Sequence, residues 1–150
     1  MIRQLSIFAE NKKGAMHRVT QTLADAGINM NTLVTNDSAE FGIIRMLVSD
    51  TDAALHCLKA AGYLCHVDTV AAAEIGDACG SLNALLETLD LGNVNLDYLY
   101  VTYSAGGGPS AGGGPSVLSK CPVAILRTQD IMEVEAFLRA KGYQILERLE

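Results

Sequence analysis

The sequence predicts an α+β fold made of two successive βαββαβ repeats. Four positions recur 66 residues later with the same or a related side chain: Asn11 as Asp77, Gly14 as Gly80, Leu23 as Leu89 and Asn29 as Asn95. A second set recurs 80 residues later: Asp50 as Asp130, Leu58 as Leu138, Ala60 as Ala140 and Gly62-Tyr63 as Gly142-Tyr143. Strand-like and helix-like patterns also alternate in the same order in both halves. Together these observations indicate a tandem duplication.

In the first half, period-two alternation and helical spacing follow one another with turn residues between them. The predicted elements are a strand over 4–9, a helix ending at Gly27, strands over 28–35 and 42–49, a helix capped by Asp50 or Thr51 and ending at Gly62, and a strand over 63–68. Gly27 suits a left-handed helix end, and its counterpart Asn93 is the other residue that tolerates this conformation. The two helix ends are therefore expected to match.

The second half predicts the same order of elements. They are a strand over 70–75, a helix containing Leu82, Leu85 and Leu89, strands over 94–103 and 123–127, a helix containing Val134 and Leu138, and a strand over 143–149. Two right-handed crossovers joined by a hairpin give a four-stranded antiparallel sheet with both helices on one face, the ferredoxin-like fold. We expect the antiparallel sheets of the two repeats to be joined side by side into eight strands. The predicted domains are residues 1–69 and 70–150.

Composition excludes several classes of protein. The net charge is −6 and the eleven Lys and Arg residues are scattered, which argues against a nucleic-acid partner. No apolar run approaches the ~20 residues that cross a bilayer, so no membrane partner is expected. The N-terminal residues lack the pattern of a secretion signal. The four cysteines lack paired metal-ligand spacing and are interpreted as reduced thiols, so the protein is expected in the cytoplasm.

The extra length of the second half lies mainly in a Gly-rich insertion, residues 105–116, where Ala-Gly-Gly-Gly-Pro-Ser occurs twice. A tolerated surface insertion is the favoured interpretation, with a ligand lid as the alternative. A phosphate-binding loop is disfavoured because no Gly-Lys-Ser or Gly-Lys-Thr follows.

The turn between the first strand and the first helix of each repeat is the predicted ligand site. These turns are Asn11-Lys12-Lys13-Gly14 and Asp77-Ala78-Cys79-Gly80. The helix that follows presents unpaired N–H groups and a positive dipole end, which suit a carboxylate. Asn11 or Asp77 supplies an oxygen for an ammonium group. The alternative interpretation is a simple turn and helix cap.

Leu5-Ser-Ile-Phe-Ala-Glu-Asn-Lys-Lys-Gly14, a helix and Ala26-Gly-Ile-Asn-Met30 together resemble the ACT domain, a small regulatory module that binds amino acids. Asp77-Ala-Cys-Gly80, a helix and Asn93-Val-Asn-Leu96 resemble it in the second half. Where the family often has Pro before the loop glycine, this chain has Lys13 and Cys79. The resemblance implies ligand sites at the boundary between the repeats, with these residues: Asn11, Gly14, Ala15, Met16, Asn29, Asp77, Gly80, Ser81, Leu82 and Asn95. For Asn29 and Asn95, holding a tight turn is an equally weighted alternative.

No catalytic residue, metal site or cofactor is predicted. His17 has no serine or cysteine at a recognisable spacing, and an acyl-phosphate hydrolase would need an arginine in the first loop. The predicted function is a non-catalytic sensor that binds an amino acid or similar metabolite and regulates an unidentified protein. The alternative is a ligand-free structural or oligomerisation module, and the chain could form a homodimer.

Overall fold

The computed structural model describes residues 1–36, 41–104 and 121–149. These residues form an α+β fold of the predicted ferredoxin-like class, with antiparallel strand pairing and four helices. The elements are β1 (Ile2–Glu10), α1 (Ala15–Asp25), β2 (Met30–Asn36), β3 (Phe41–Val48), α2 (Thr51–Ala60), β4 (Leu64–Glu74), α3 (Ser81–Leu91), β5 (Tyr98–Tyr103), β6 (Pro122–Arg127) and α4 (Ile131–Ala140). The Gly-rich insertion lies outside the described residues.

The chain divides into two compact units, one of residues 3–68 and one of residues 69–150 together with residues 1–2. Because β4 spans Leu64–Glu74, this division falls inside a strand. The predicted repeat boundary between residues 69 and 70 lies in the same strand.

Three of the eight predicted strands differ from the structure. The strands predicted over 63–68 and 70–75 are one continuous strand, β4, because the run from His66 to Ala73 has no Gly, Pro or Asn to break it. The strand predicted over 143–149 is wrong. Only Ile145 forms a bridge, to Ala73, flanked by two backbone hydrogen bonds to β4. The described residues therefore contain six strands rather than eight.

In the first unit, β3 lies between β1 and β2 and pairs antiparallel with both. Leu5 and Ile7 of β1 face the same side as Met46 of β3, and all three are buried. Val19 of α1 and Leu58 of α2 pack into the same cluster. Both helices of this unit therefore cover one face of the sheet, as predicted.

The second unit repeats this arrangement, with β6 between β4 and β5. Its core joins Ala71 and Ala73 of β4 to Leu126 of β6, with Leu85 from α3 and Leu138 from α4. On β4 this core is formed by small alanine side chains, which pack with the larger leucines of the two helices. The helices again lie on one face.

Each helix is followed by a residue with a positive φ: Gly27 (69°), Gly62 (87°), Asn93 (53°) and Gly142 (92°). The next N–H then bonds back into the last helical turn, as from Ile28 to the Leu23 carbonyl at 3.0 Å and from Val94 to the Leu89 carbonyl at 2.9 Å. Asn93 is the sole non-glycine residue with positive φ among the described residues. This confirms the predicted match between Gly27 and Asn93.

Candidate functional site

The strand-to-helix loop of the first repeat is a tight turn that ends in a left-handed glycine. The Ala15 N–H donates to the Lys12 carbonyl at 3.0 Å, and Gly14, with φ 82°, is the N-cap of α1. A Cβ at Gly14 would lie 3.1 Å from Arg18 Nη1. Glycine is favoured here by its backbone conformation, and the exposed Arg18 guanidinium lies directly beside it.

The first turn of α1 has amide groups that the rest of the described chain leaves unbonded. Gly14 makes no side-chain cap, and α1 carries no acidic residue in its first turn. The N–H groups of Met16 and His17 make no hydrogen bond within the described residues. Such groups, at the positive end of a helix dipole, attract a carboxylate.

The loop of the second repeat has the same backbone geometry. The Ser81 N–H donates to the Ala78 carbonyl at 3.1 Å, and Gly80 is an N-cap with φ 90°. No side chain caps α3, and no acidic residue lies in its first turn. The two loops therefore share the feature that could bind an anion, although only their glycines are identical.

A cavity of about 260 Å³ lies beside the loop of the first repeat. It is bounded by the end of β1, the start of α1 and the β2–β3 hairpin. Its lining residues are Ala9, Glu10, Asn11, Lys12, Ala15, Met16, Thr35, Asn36, Gly42, Ile43 and Ile44. The cavity thus combines both signs of charge, amide groups and an apolar wall.

The two charged residues among the described lining of this cavity, Glu10 and Lys12, form one exposed ion pair. Lys12 Nζ lies 2.6 Å from Glu10 Oε2. A hydrogen bond from Lys12 and its charge, with a smaller contribution from Arg18, lower the pKa of the Glu10 carboxyl below its ordinary value. Because the pair is exposed to solvent, a ligand can exchange partners with it at little cost.

The structure brings together some of the predicted site residues and separates others. Asn11, Ala15 and Met16 line the first-repeat cavity, and Gly14 sets the turn beside them. Asp77, Gly80, Ser81 and Leu82 surround the start of α3, where the Ser81 hydroxyl lies close to Gly76.

Asn29 and Asn95 follow the C-terminal ends of α1 and α3, the far ends from the two loops. An 11-residue helix is about 16 Å long, so neither residue lies beside the loop of its own repeat. Asn29 holds a turn through its backbone: it donates to Ser49 Oγ at 3.1 Å, and its carbonyl accepts from the Ser49 N–H at 2.9 Å.

Sequence reasoning missed the contribution of the hairpin to the cavity. Thr35 and Asn36 end β2, opposite Ile44 and Ile43 of β3, and the latter pair supplies the apolar wall. Arg18 was also missed, although its position four residues after Gly14 on a helix places it above the loop. For the hairpin, the signal available in the sequence was the pair of polar residues at the end of β2, Thr35 and Asn36.

One polar cluster on the first unit resembles a set of catalytic residues by composition only. Asp68 Oδ2 accepts from Ser6 Oγ at 2.9 Å and lies 2.8 Å from His66 Nε2. The carboxylate sits between the hydroxyl and the imidazole, whereas a nucleophile needs the imidazole beside it. His17 and His56 are exposed on helices.

The described residues contain no group of three or more His, Cys, Asp or Glu placed to hold a metal ion. Cys57, Cys65, Cys79 and Cys121 are free thiols. Burial raises the pKa of the Cys65 thiol above its ordinary value. Across the described ranges, every helix is too short or too polar to cross a membrane.

The fold and the paired loops define a two-repeat ferredoxin-like protein with a glycine-capped turn in each repeat. A model of the ACT domain pair matches residues 1–109, and the chain belongs to this family. ACT domains are regulatory modules.

Solved structures similar to this chain support the same fold. Protein BT0572 from Bacteroides thetaiotaomicron is 28% identical with a TM-score of 0.81, and the match covers 97% of this chain and 91% of that chain. The regulatory subunit of aspartate kinase from Thermus thermophilus, in a ligand-free form, is 16% identical with a TM-score of 0.59 over 93% and 90% of the two chains. Its counterpart from Thermus flavus is 16% identical with a TM-score of 0.59 over 92% and 88%. No curated protein matches the chain.

Proposed function

We propose that this protein is a non-catalytic cytoplasmic sensor that binds an amino acid at the cavity of its first repeat and regulates a partner protein. The observation that carries this proposal is the cavity beside unbonded helix amides, with Glu10 and Lys12 at its rim. Its ~260 Å³ lies near the lower end of small-molecule pockets, which favours a ligand of amino-acid size over a nucleotide.

The two ends of an α-amino acid find complementary groups at this cavity. The N–H groups of Met16 and His17, with the cations of Lys12 and Arg18, receive the carboxylate. The Glu10 carboxylate receives the ammonium group. The ligand side chain then lies against Met16 and Ile43, which line the cavity. Family membership and the regulatory subunits among the similar structures support a regulatory role.

Regulation follows if a bound ligand favours one state of the protein over another. The ligand joins the β1–α1 loop to the β2–β3 hairpin and restricts both, and it changes a partner's activity only through its different affinities for the two states. The second repeat has a similar loop with different side chains, so we expect the two loops to differ in affinity. A homodimer is compatible with this mechanism.

A thermal-shift screen of the twenty amino acids tests this function. A ligand at 100 times its Kd adds about 2.7 kcal/mol to the free energy of unfolding. The diagnostic variant is Ala15→Asp, which places a carboxylate at the first position of α1. It stabilises the helix dipole but repels a ligand carboxylate, so the protein folds and the shift is lost.

The matched control is Ser81→Asp, the same change at the equivalent position of α3. It should leave the shift intact. A shift that survives Ala15→Asp would place the ligand elsewhere. If no amino acid raises the melting temperature, the sensor proposal fails and the ligand-free structural or oligomerisation module is supported instead.

A further inference from the structure

The second repeat contains another cavity, at the end of the unit opposite its loop. It has a volume of about 290 Å³ and lies between the C-terminal end of α3 and the N-terminal end of α4. Its polar lining residues are Asn93, Asn95, Thr128, Gln129, Asp130 and Glu133. Val94, Val134 and Phe137 supply its apolar wall, and Gly92 completes it.

Thr128 is a buried polar residue in this wall. It is 4% exposed and directly follows β6. Along this strand, Ala124 and Leu126 face the helices, so the alternation directs Thr128 to the same side, where the cavity lies. Within the described residues its hydroxyl makes no hydrogen bond. A hydroxyl on the cavity wall that the described residues leave without a partner can exchange a hydrogen bond with a ligand atom.

The first repeat closes the equivalent position with hydrogen bonds. There, the Ser49 N–H donates to the Asn29 carbonyl at 2.9 Å, and the Asn29 N–H donates to the Ser49 hydroxyl at 3.1 Å. Their counterparts, Asn95 and Gln129, make no such bonds. In the second repeat, the segment before β5 is first bonded to the end of β6 at Asp97, whose N–H donates to the Arg127 carbonyl at 2.8 Å. The segment before β5 is therefore left apart from the β6–α4 turn, and the cavity stays open.

The equivalent aspartates also behave differently. Asp50 caps α2, accepting from the Ala53 N–H at 2.9 Å. Asp130 is the N-cap residue of α4 but makes no side-chain cap. It lines the cavity together with Glu133, and these two are the charged residues of the lining in the part of the chain that the structure describes.

We propose that this cavity binds a small organic cation, an aliphatic amine. The ammonium group is received by the carboxylates of Asp130 and Glu133, and its remaining protons reach side-chain amide oxygens of the lining. The carbon chain lies against Val134 and the Phe137 ring. An anion is disfavoured because the charged side chains among the described lining residues are both carboxylates. Lys141 lies 5.7 Å from the Phe137 ring centroid but is not part of the lining.

The test is a titration of the full chain with butylammonium chloride, followed by backbone amide NMR. We expect saturable shifts centred on Asn93–Asn95 and Thr128–Glu133, with a Kd on the order of 1 mM for so small a ligand. Sodium butyrate, which also contains four carbons but carries the opposite charge, should give none, and sodium chloride corrects for ionic strength.

The double variant Asp130→Asn and Glu133→Gln should weaken binding at least tenfold. Its fold should be preserved, because Asn is a good N-cap residue and Asp130 makes no cap to lose. The matched control is Glu87→Gln with Asp90→Asn, two exposed carboxylates of α3 outside the cavity, which should bind as the parent does.

Three results would overturn the proposal: no saturable shift at these residues, equal binding of butyrate, or equal weakening by both double variants. The outcome is independent of the amino-acid site, because Ala15→Asp should leave butylammonium binding unchanged. Failure of the first-repeat sensor and failure of this amine site are therefore distinguishable.

Discussion

Asn29 and Ser49 hold each other by two hydrogen bonds, one from the Asn29 N–H to the Ser49 hydroxyl at 3.1 Å and one from the Ser49 N–H to the Asn29 carbonyl at 2.9 Å. These bonds join the segment before β2 to the end of β3. Ser49→Ala removes the hydroxyl acceptor, and we expect the free energy of unfolding to fall by about 1 kcal/mol, measured in urea. Ser49→Thr keeps the hydroxyl and should recover most of the loss. Equal losses in both variants would show that the hydroxyl is not the stabilising group.

The equivalent helix caps, Asp50 and Asp130, should respond differently to the same substitution. Asp50→Ala removes the bond accepted from the Ala53 N–H and should cost about 1 kcal/mol. Asp130→Ala removes a side chain without a capping bond and should cost clearly less. Urea unfolding of the two variants measures the difference. A larger loss at Asp130 would contradict the structure.

Gly92 is required by packing rather than by backbone conformation. Its φ is −82°, but a Cβ at this position would lie 2.6 Å from the Phe137 ring. Gly92→Ala should therefore destabilise the protein by about 1–3 kcal/mol through overpacking. Combining it with Phe137→Leu should cost less than the sum of the single changes, because the smaller side chain makes room. Additive losses in this double-mutant cycle would exclude the clash.

The ion pair between Glu10 and Lys12 at the first-repeat cavity should depend on pH. Lys12 lowers the pKa of Glu10 below its ordinary 4.5, so the pair is intact above that lowered pKa and is lost as the pH falls through it. Lys12→Gln should raise the pKa of Glu10, measured by carbon-detected NMR of the carboxyl group. Lys13→Gln is the control, since Lys13 makes no ion pair with Glu10 within the described residues. An equal rise in the control would contradict the assignment.

Features fixed by neighbouring residues could be predicted from the sequence. The left-handed conformation of Asn93 follows from its match to Gly27, and the cap at Asp50 follows from its position before a helical pattern. The Asn11–Gly14 turn was predicted from its recurrence as Asp77–Gly80, and both turns precede a helix, as expected.

Features set by tertiary register could not be predicted in this way. The strand expected over 143–149 has suitable residues, yet only Ile145 pairs, because pairing depends on a distant partner. Thr35 and Asn36 reach the cavity through the β2–β3 register. Asp50 and Asp130 occupy equivalent positions before a helix in the two repeats. Only Asp50 caps its helix, whereas Asp130 lines a cavity.

The unbroken β4 has a consequence for dissecting this protein. A linker that proteases could cleave would have to be exposed and unpaired, whereas residues 70–73 are buried and residues 71–74 pair with β6. A truncated chain starting beyond Glu74 would leave β6 without this neighbour and expose its apolar edge to aggregation. Each half would have to be produced with its own copy of β4, because the residues of this strand are divided between the two units.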